Sequence, residues 1–261
     1  MIAGPDAADP VTLDAAPHVQ ADYTAFLDPE ALRGARIGVL RQAMGFHGEV
    51  DAVMERTIEA LREAGAEVVD PVEMATWRQW SGPEFEVLLR EFGPALSEYL
   101  KTTAAPHDDL AGLVDFNRTH AAEVMPWFGQ ELFEMALAKG PLSDPAYLAA
   151  RDDARRLAGA EGIDAVIATH RLDAILTTAV SPAWTRDPVN GDHFLGSGYS
   201  AAAVAGYPSV TLPAGQVQGL PVGVVLMGPA WSEPRLIGLA HALELRLAPA
   251  PIPAYLPHLA H

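Results

Sequence analysis

Few residues in this 261-residue chain could carry covalent chemistry. It has no cysteine, which removes thiol nucleophiles, thiolate zinc sites and disulfides together. The serine in the most suggestive context is Ser200, within Gly198-Tyr199-Ser200-Ala201-Ala202. That run approaches the G-x-S-x-G elbow, in which a strained strand-to-helix turn offers a serine to a histidine base. Alanine stands where the last glycine belongs, and Pro182–Gly198 reads as a loop rather than a strand. No aspartate follows Ser200, so only Glu233 or Glu244 could orient a base such as His241. Glu233 and His241 lie on one predicted helix, about 12 Å apart in rise. An esterase built on Ser200 therefore stands as an alternative to a helix start lined with small side chains. The nine histidines are dispersed, with no H-E-x-x-H, and no glycine-rich phosphate loop follows a strand. No metal site and no cofactor is expected.

Lys101 and Lys139 are the two lysines. Each ends a predicted helix, where a solvated cation complements the helix dipole. A lysine base needs burial or a cationic neighbour to lose its proton near neutrality, and neither lysine has that setting. No catalytic residue is assigned. Trp127 and Phe128 begin an apolar helix face; they read as core, with pocket lining as the alternative.

The elements that would position a site follow from periodicity. Residues 1–35 are rich in Pro and Asp and read as a surface segment. RIGVL (Arg36–Leu40) is a buried strand, and Val50, Val53, Met54, Ile58 and Leu61 recur at helical spacing up to Gly65. AEVVD (Ala66–Asp70) is a second strand, so residues 36–82 form a βαβ unit with parallel pairing. Residues 83–170 read as helical: Pro83–Lys101, Asp109–Val124, Trp127–Ala138, Asp144–Ala158 and a short Gly162–Thr169. LDAILT (Leu172–Thr177) is a strand, Pro182–Gly198 a polar loop, and Ser200–Ala205 a short helix. SVTLP and VGVVLM are strands joined by a glycine-bearing turn, and Glu233–Leu247 is a final helix before a proline-spaced tail, Pro249–Pro257. The class is α/β, a layered sheet with flanking helices, and residues 1–261 read as a single domain.

Composition excludes some partners. The formal net charge is −17, and this field repels a phosphate backbone, so no nucleic-acid partner is expected. MIAGPDAADP has neither the basic nor the apolar region of a signal peptide. No apolar run approaches the ~18 residues of a membrane span. A cytoplasmic chain with no membrane partner is the expectation, and the lack of cysteine fits a reducing compartment.

Several segments, in order, resemble the C-terminal half of the amidase-signature family. AGYPSVTLPAG (Ala205–Gly215), GLPVG (Gly219–Gly223) and GPAWSEPRL (Gly228–Leu236) match its conserved C-terminal run. LDAILTTA (Leu172–Ala179) is similar to its L-D-A-[IL]-x-x-P-T strand, with Thr178-Ala179 in place of Pro-Thr. FNRTHAAEVMPWFGQELFE (Phe116–Glu134) resembles the helical region of peptide-amidase-like members. RGARIGVL (Arg33–Leu40) and GPDAADP (Gly4–Pro10) match connecting segments.

The resemblance implies an α/β/α sandwich and hydrolysis of carboxamide C–N bonds by a Ser nucleophile, a second Ser in a cis peptide, and a Lys base. Those sit in a Gly/Ser-rich segment that would lie before Met1, and no Gly-Gly-Ser-Ser-Gly-Gly-Ser run occurs here. The implied reading is an amidase-like portion inactive alone, or a non-catalytic binding or partner chain, amidotransferase-like subunits included. The substrate is a small carboxamide or amidated peptide if the missing half completes the site. By resemblance the pocket side drawn from this chain is Phe128, Gln130, Trp184, Ser197 and Tyr199. The sheet edge and apolar face that relatives cover are expected to be bare, leading to self-association or to a partner carrying the catalytic half.

Overall fold

The computed structural model describes residues 4–103 and 105–247. The predicted tail Pro249–Pro257 lies outside the described residues. Five strands, β1 (Arg36–Leu40), β2 (Glu67–Val72), β3 (Ala174–Thr178), β4 (Ser209–Val217) and β5 (Leu220–Met227), form one mixed sheet in the order β2-β1-β3-β5-β4. β1 pairs in parallel with β2 and with β3, whereas β5 runs antiparallel to β3 and β4. The helices are α1 (Gly48–Glu63), α2 (Ser81–Lys101), α3 (Leu110–Thr119), α4 (Ala121–Val124), α5 (Glu131–Leu137), α6 (Pro145–Ala158), α7 (Ala165–His170), α8 (Ser200–Ala205) and α9 (Glu233–Glu244).

The βαβ unit forms as the periodicity predicts. The apolar positions of α1, Val50, Val53, Met54, Ile58 and Leu61, are all buried. They pack with Ile37, Val39 and Leu176 of the sheet and with Leu236, Leu239 and Leu243 of α9. On the opposite face Ile175 and Met227 meet Trp80, Ile163, Val166 and the small residues Ala201 and Ala202 of α8. Small side chains let that helix lie close to the sheet.

The β4–β5 connection is a two-residue turn, Gln218-Gly219, with φ of 51° and 79°. Positive φ at both centres is the type I′ arrangement that matches strand twist, which is why glycine stands at 219. β4 runs on to Val217, beyond the SVTLP stretch, with a register shift between Pro213 and Gly215.

Three helical expectations need correction. Asp109–Val124 is not one helix: it breaks at His120 into α3 and α4. Gly162–Thr169 starts instead as a π-helical turn, Gly159–Asp164, that runs into α7. The apolar helix expected from Trp127 begins only at Glu131, because Pro126 and Gly129 interrupt it. Trp127 and Phe128 are 71% and 74% exposed, not core.

The expected bare apolar face is also absent from the sheet centre. All five residues of β3 and Val224–Met227 of β5 are buried. Exposure falls on β4 instead, at Ser209, Thr211 and Gln216. The helical part has its own smaller core of Leu89, Leu110, Val114 and Ala136 and leaves Leu88, Tyr99 and Leu132 exposed. Among the described residues no helix is long and apolar enough to cross a membrane.

Candidate functional site

Two places gather the residues singled out above. The first is the end of β3 and the segment that follows it. β3 finishes in two threonines, Thr177 and Thr178, both fully buried. Thr178 Oγ1 donates to the Ala43 carbonyl across 2.9 Å, tying β3 to the turn after β1. Thr177 Oγ1 and Ser181 Oγ are buried with no hydrogen-bond partner among the described residues. A buried hydroxyl without a partner costs free energy that a purely structural residue need not incur.

The segment returns over this point. Val180 bridges Ser197, the Ser181 N–H donates to the Gly196 carbonyl at 3.0 Å, and the Gly198 N–H to the Ala179 carbonyl at 3.3 Å. Gly198 lies directly on Thr177, where any Cβ would overlap the threonine hydroxyl. The loop is thus closed at its base while its middle projects. Trp184 is 38% exposed, donates from Nε1 to Asp192 Oδ1 at 3.1 Å, and sets its ring edge-on to Phe194. Tyr199 is 45% exposed, and Ser197 is half-buried.

The second place is the turn between α4 and α5. Gln130 accepts from Asn117 Nδ2 at 3.1 Å and donates to the Val114 carbonyl at 3.0 Å. Its amide is therefore occupied in pinning the turn to α3. Beside it Asn117, Val124, Met125, Phe128, Leu132 and Phe133 line an apolar cleft of about 440 Å³. The structure thus separates the five residues into Trp184, Ser197 and Tyr199 on one loop and Phe128 and Gln130 on another. Among the described residues no hydrogen bond or ring contact joins the two groups.

The alternative chemistries find no geometry. Ser200 opens α8 after an irregular loop, and its side chain makes no hydrogen bond to a histidine among the described residues. Lys139 is paired to Glu86, which also holds Arg90, and Arg90 holds Asp144 at 2.8 Å. Lys139 and Arg90 hold the Glu86 carboxyl below its ordinary pKa. The Asp144 carboxyl is likewise lowered, by the Ala146 N–H it caps and by Arg90. This is an ion-pair chain locking α2 to α6, with its lysine already engaged. No three His, Asp or Glu side chains are grouped to hold an ion among the described residues.

Behind α8, Tyr207 donates to Asp164 Oδ2 at 2.6 Å. Sharing its proton with that carboxylate, and partial burial, push the phenol up to about 12. The bond fixes the π-helical turn against the loop leading into β4. Sequence reasoning missed the orphaned Thr177 and Ser181; the available signal was a pair of threonines closing an otherwise apolar strand.

The family model for Amidase matches residues 1–237. The chain is 30% identical over 254 residues to a probable amidase of Arabidopsis thaliana, covering 93% of this chain and 44% of that protein. It is 29% identical over 264 residues to a subunit of the glutamyl-tRNA(Gln) amidotransferase of Deinococcus deserti, covering 94% of this chain and 51% of that one. Among solved structures, the peptide amidase PAM bound to the competitive inhibitor chymostatin superposes with a TM-score of 0.88 at 48% identity, over 93% of this chain and 50% of that chain. The native peptide amidase of Stenotrophomonas maltophilia gives 0.84 at 48%, over 94% and 49%. The chain spans about half the length of these relatives. Family match, fold and motif order agree, and the chain belongs to the amidase-signature family.

Proposed function

We propose that this chain forms part of a hydrolase that cleaves the C–N bond of carboxamides, with C-terminally amidated peptides as the substrate class. One observation carries the reading: 48% identity to peptide amidases across 93% of the chain at a TM-score of 0.88. In the reaction a water is consumed, the amide C–N bond breaks, ammonia leaves and a carboxylate remains. The nucleophile and base come from outside these 261 residues, which contain no Ser-Ser-Lys constellation. This chain contributes the pocket side: Trp184, Tyr199 and Phe128 offer exposed aromatic surface to peptide side chains, and Ser197 sits at the closed base of its loop. Gln130 acts by holding the Phe128 turn in place. A role within a tRNA amidotransferase is less well supported. The Thermotoga maritima relative of that type superposes at only 0.56 with 20% identity, and a net charge of −17 opposes RNA. The lack of cysteine favours a cytoplasmic setting.

The test is ammonia release from amidated peptides. The purified chain alone should give none. Turnover by the chain alone that disappears in Ser200→Ala would replace this reading with the esterase-type elbow. When the chain is co-expressed with the part of the Stenotrophomonas maltophilia peptide amidase that it does not match, turnover should appear.

A further inference from the structure

We infer that Asn190 is a site of spontaneous covalent modification: its side-chain amide is lost through attack by the backbone nitrogen of Gly191, and Asp187 sets how slowly this happens. The inference stands independently of the amidase reading.

The two asparagines of the chain, Asn117 and Asn190, sit in opposite settings. Asn117 lies inside α3, is followed by Arg118, and donates to Gln130 Oε1 at 3.1 Å. Helical backbone keeps the next N–H in its own ladder and away from the side chain. Asn190 is exposed near the middle of the loop 182–198, and Gly191 after it is exposed as well. Gly191 has φ of 81°, a conformation that glycine takes without strain. Among the described residues nothing lies within 4 Å of the point that a Cβ on Gly191 would occupy. No side chain therefore screens its nitrogen from the neighbouring carboxamide.

The chemistry needs only water. The Gly191 nitrogen gives up its proton and attacks Asn190 Cγ. The N–Cγ bond forms, the Cγ–Nδ2 bond breaks, and the proton leaves with the amide nitrogen as ammonia. A cyclic succinimide remains. Water then adds at either of its carbonyls, giving aspartate or, with the backbone rerouted through Cβ, isoaspartate. Nothing is oxidised or reduced.

Asp187 opposes this reaction at both reacting groups. Its Oδ2 accepts from Asn190 Nδ2 at 2.7 Å, its Oδ1 from the Asn190 N–H at 3.0 Å, and its backbone carbonyl from the Gly191 N–H at 2.9 Å. The nitrogen that attacks and the amide that leaves are thus tied to one residue, and reaction waits for the turn to open. A carboxylate in the same turn also disfavours loss of the Gly191 proton, since like charges repel. The product reverses the arrangement. An acid at position 190 sets a second negative charge where Asp187 Oδ2 held an amide, so the turn stays open. The loop concerned is the one on which Asp192 holds Trp184, so the modification loosens that aromatic face.

The experiment is incubation of the full chain at neutral pH, followed by peptide mapping and enzymatic methylation of isoaspartate. The peptide containing Asn190 should gain the mass of an acid over an amide, largely as isoaspartate, while the Asn117 peptide stays unchanged. Asp187→Ala should raise the rate about tenfold, as expected for the loss of hydrogen bonds to a charged acceptor. If that variant does not fold, the unsubstituted chain compared with itself in urea decides: Asn190 should react about tenfold faster once the turn is lost. An unmodified Asn190, equal modification of Asn117, aspartate without isoaspartate, or a rate unmoved by Asp187→Ala or by urea each overturns the inference. The reaction releases at most one ammonia per chain and needs no added peptide, so it is separable from amide turnover. Failure of either reading leaves the other standing.

Discussion

The contact between Gly198 and Thr177 makes a demanding prediction. Gly198→Ala places a Cβ inside the van der Waals shell of Thr177 Oγ1 and 2.7 Å from the Thr178 carbonyl oxygen. Neither neighbour can yield easily: the carbonyl belongs to the sheet, and the threonine side chain is buried. Overpacking a dense interior costs about 1–3 kcal/mol. With a backbone atom in the way the upper part of that range applies, so a loss of about 2–3 kcal/mol is expected. For a chain of this size it lowers Tm by roughly 4–12 °C. Thr177→Ala removes the hydroxyl, which has no partner to lose among the described residues, and should alone cost about 1 kcal/mol or less. In the double variant the clash with Oγ1 is gone while the carbonyl contact remains. The pair should therefore show a favourable coupling of about 1–2 kcal/mol. The assay is urea denaturation of the four proteins in one double-mutant cycle. A neutral Gly198→Ala, or strictly additive costs, would refute the claim that this glycine is required by close approach to β3.

Two further outcomes follow from packing and charge. Ile58→Ala, at a fully buried position of α1, should cost about 2–5 kcal/mol, whereas Leu132→Ala, at an exposed one, should stay within about 0.5 kcal/mol; denaturation midpoints of the two variants check both. Tyr207 is raised to about 12 through its bond to Asp164, so its stabilising contribution is complete below the ordinary tyrosine value near 10 and is lost as pH rises toward 12. Tyr207→Phe should flatten the alkaline limb of the stability–pH profile over that window, and an unchanged limb would mean the bond contributes nothing.

The βαβ unit, the buried β3 and the β4–β5 hairpin are legible in the sequence because each is written locally. α1 has an unbroken apolar stripe, β3 a continuous apolar run, and Gln218-Gly219 supplies the turn. The Phe116–Glu134 stretch reads as more helical than it is. Apolar spacing there suggests one long face, but Pro126 and the Gln130 bonds to Asn117 and Val114 make a turn that periodicity cannot register. The π-helical turn at Gly159–Asp164 likewise depends on a distant partner, Tyr207. The candidate site is legible only as motifs. That Trp184, Ser197 and Tyr199 share a loop follows from their numbers, but their separation from Phe128 and the orphaned hydroxyls of Thr177 and Ser181 required coordinates. An open sheet edge is implied only by the family resemblance; that β4 lies at one end of the sheet depends on the strand order.

That order also constrains how the chain is made. β1 and β3 lie side by side, and the Arg36 N–H reaches Asp173 Oδ2 across a sequence separation of 137. Closing such a span is entropically modest, since each doubling of loop length adds only ~0.6 kcal/mol, but it is slow, because distant pairings are reached late. On the ribosome, β1, α1 and β2 emerge as a finished unit whose inner strand still lacks a neighbour. That neighbour arrives only after the whole helical segment has been synthesised, and the β5 strand that covers β3 comes later still. The middle of the sheet, the most deeply buried part of the finished protein, is therefore the last to be assembled. The helical segment has meanwhile had time to fold on its own small core.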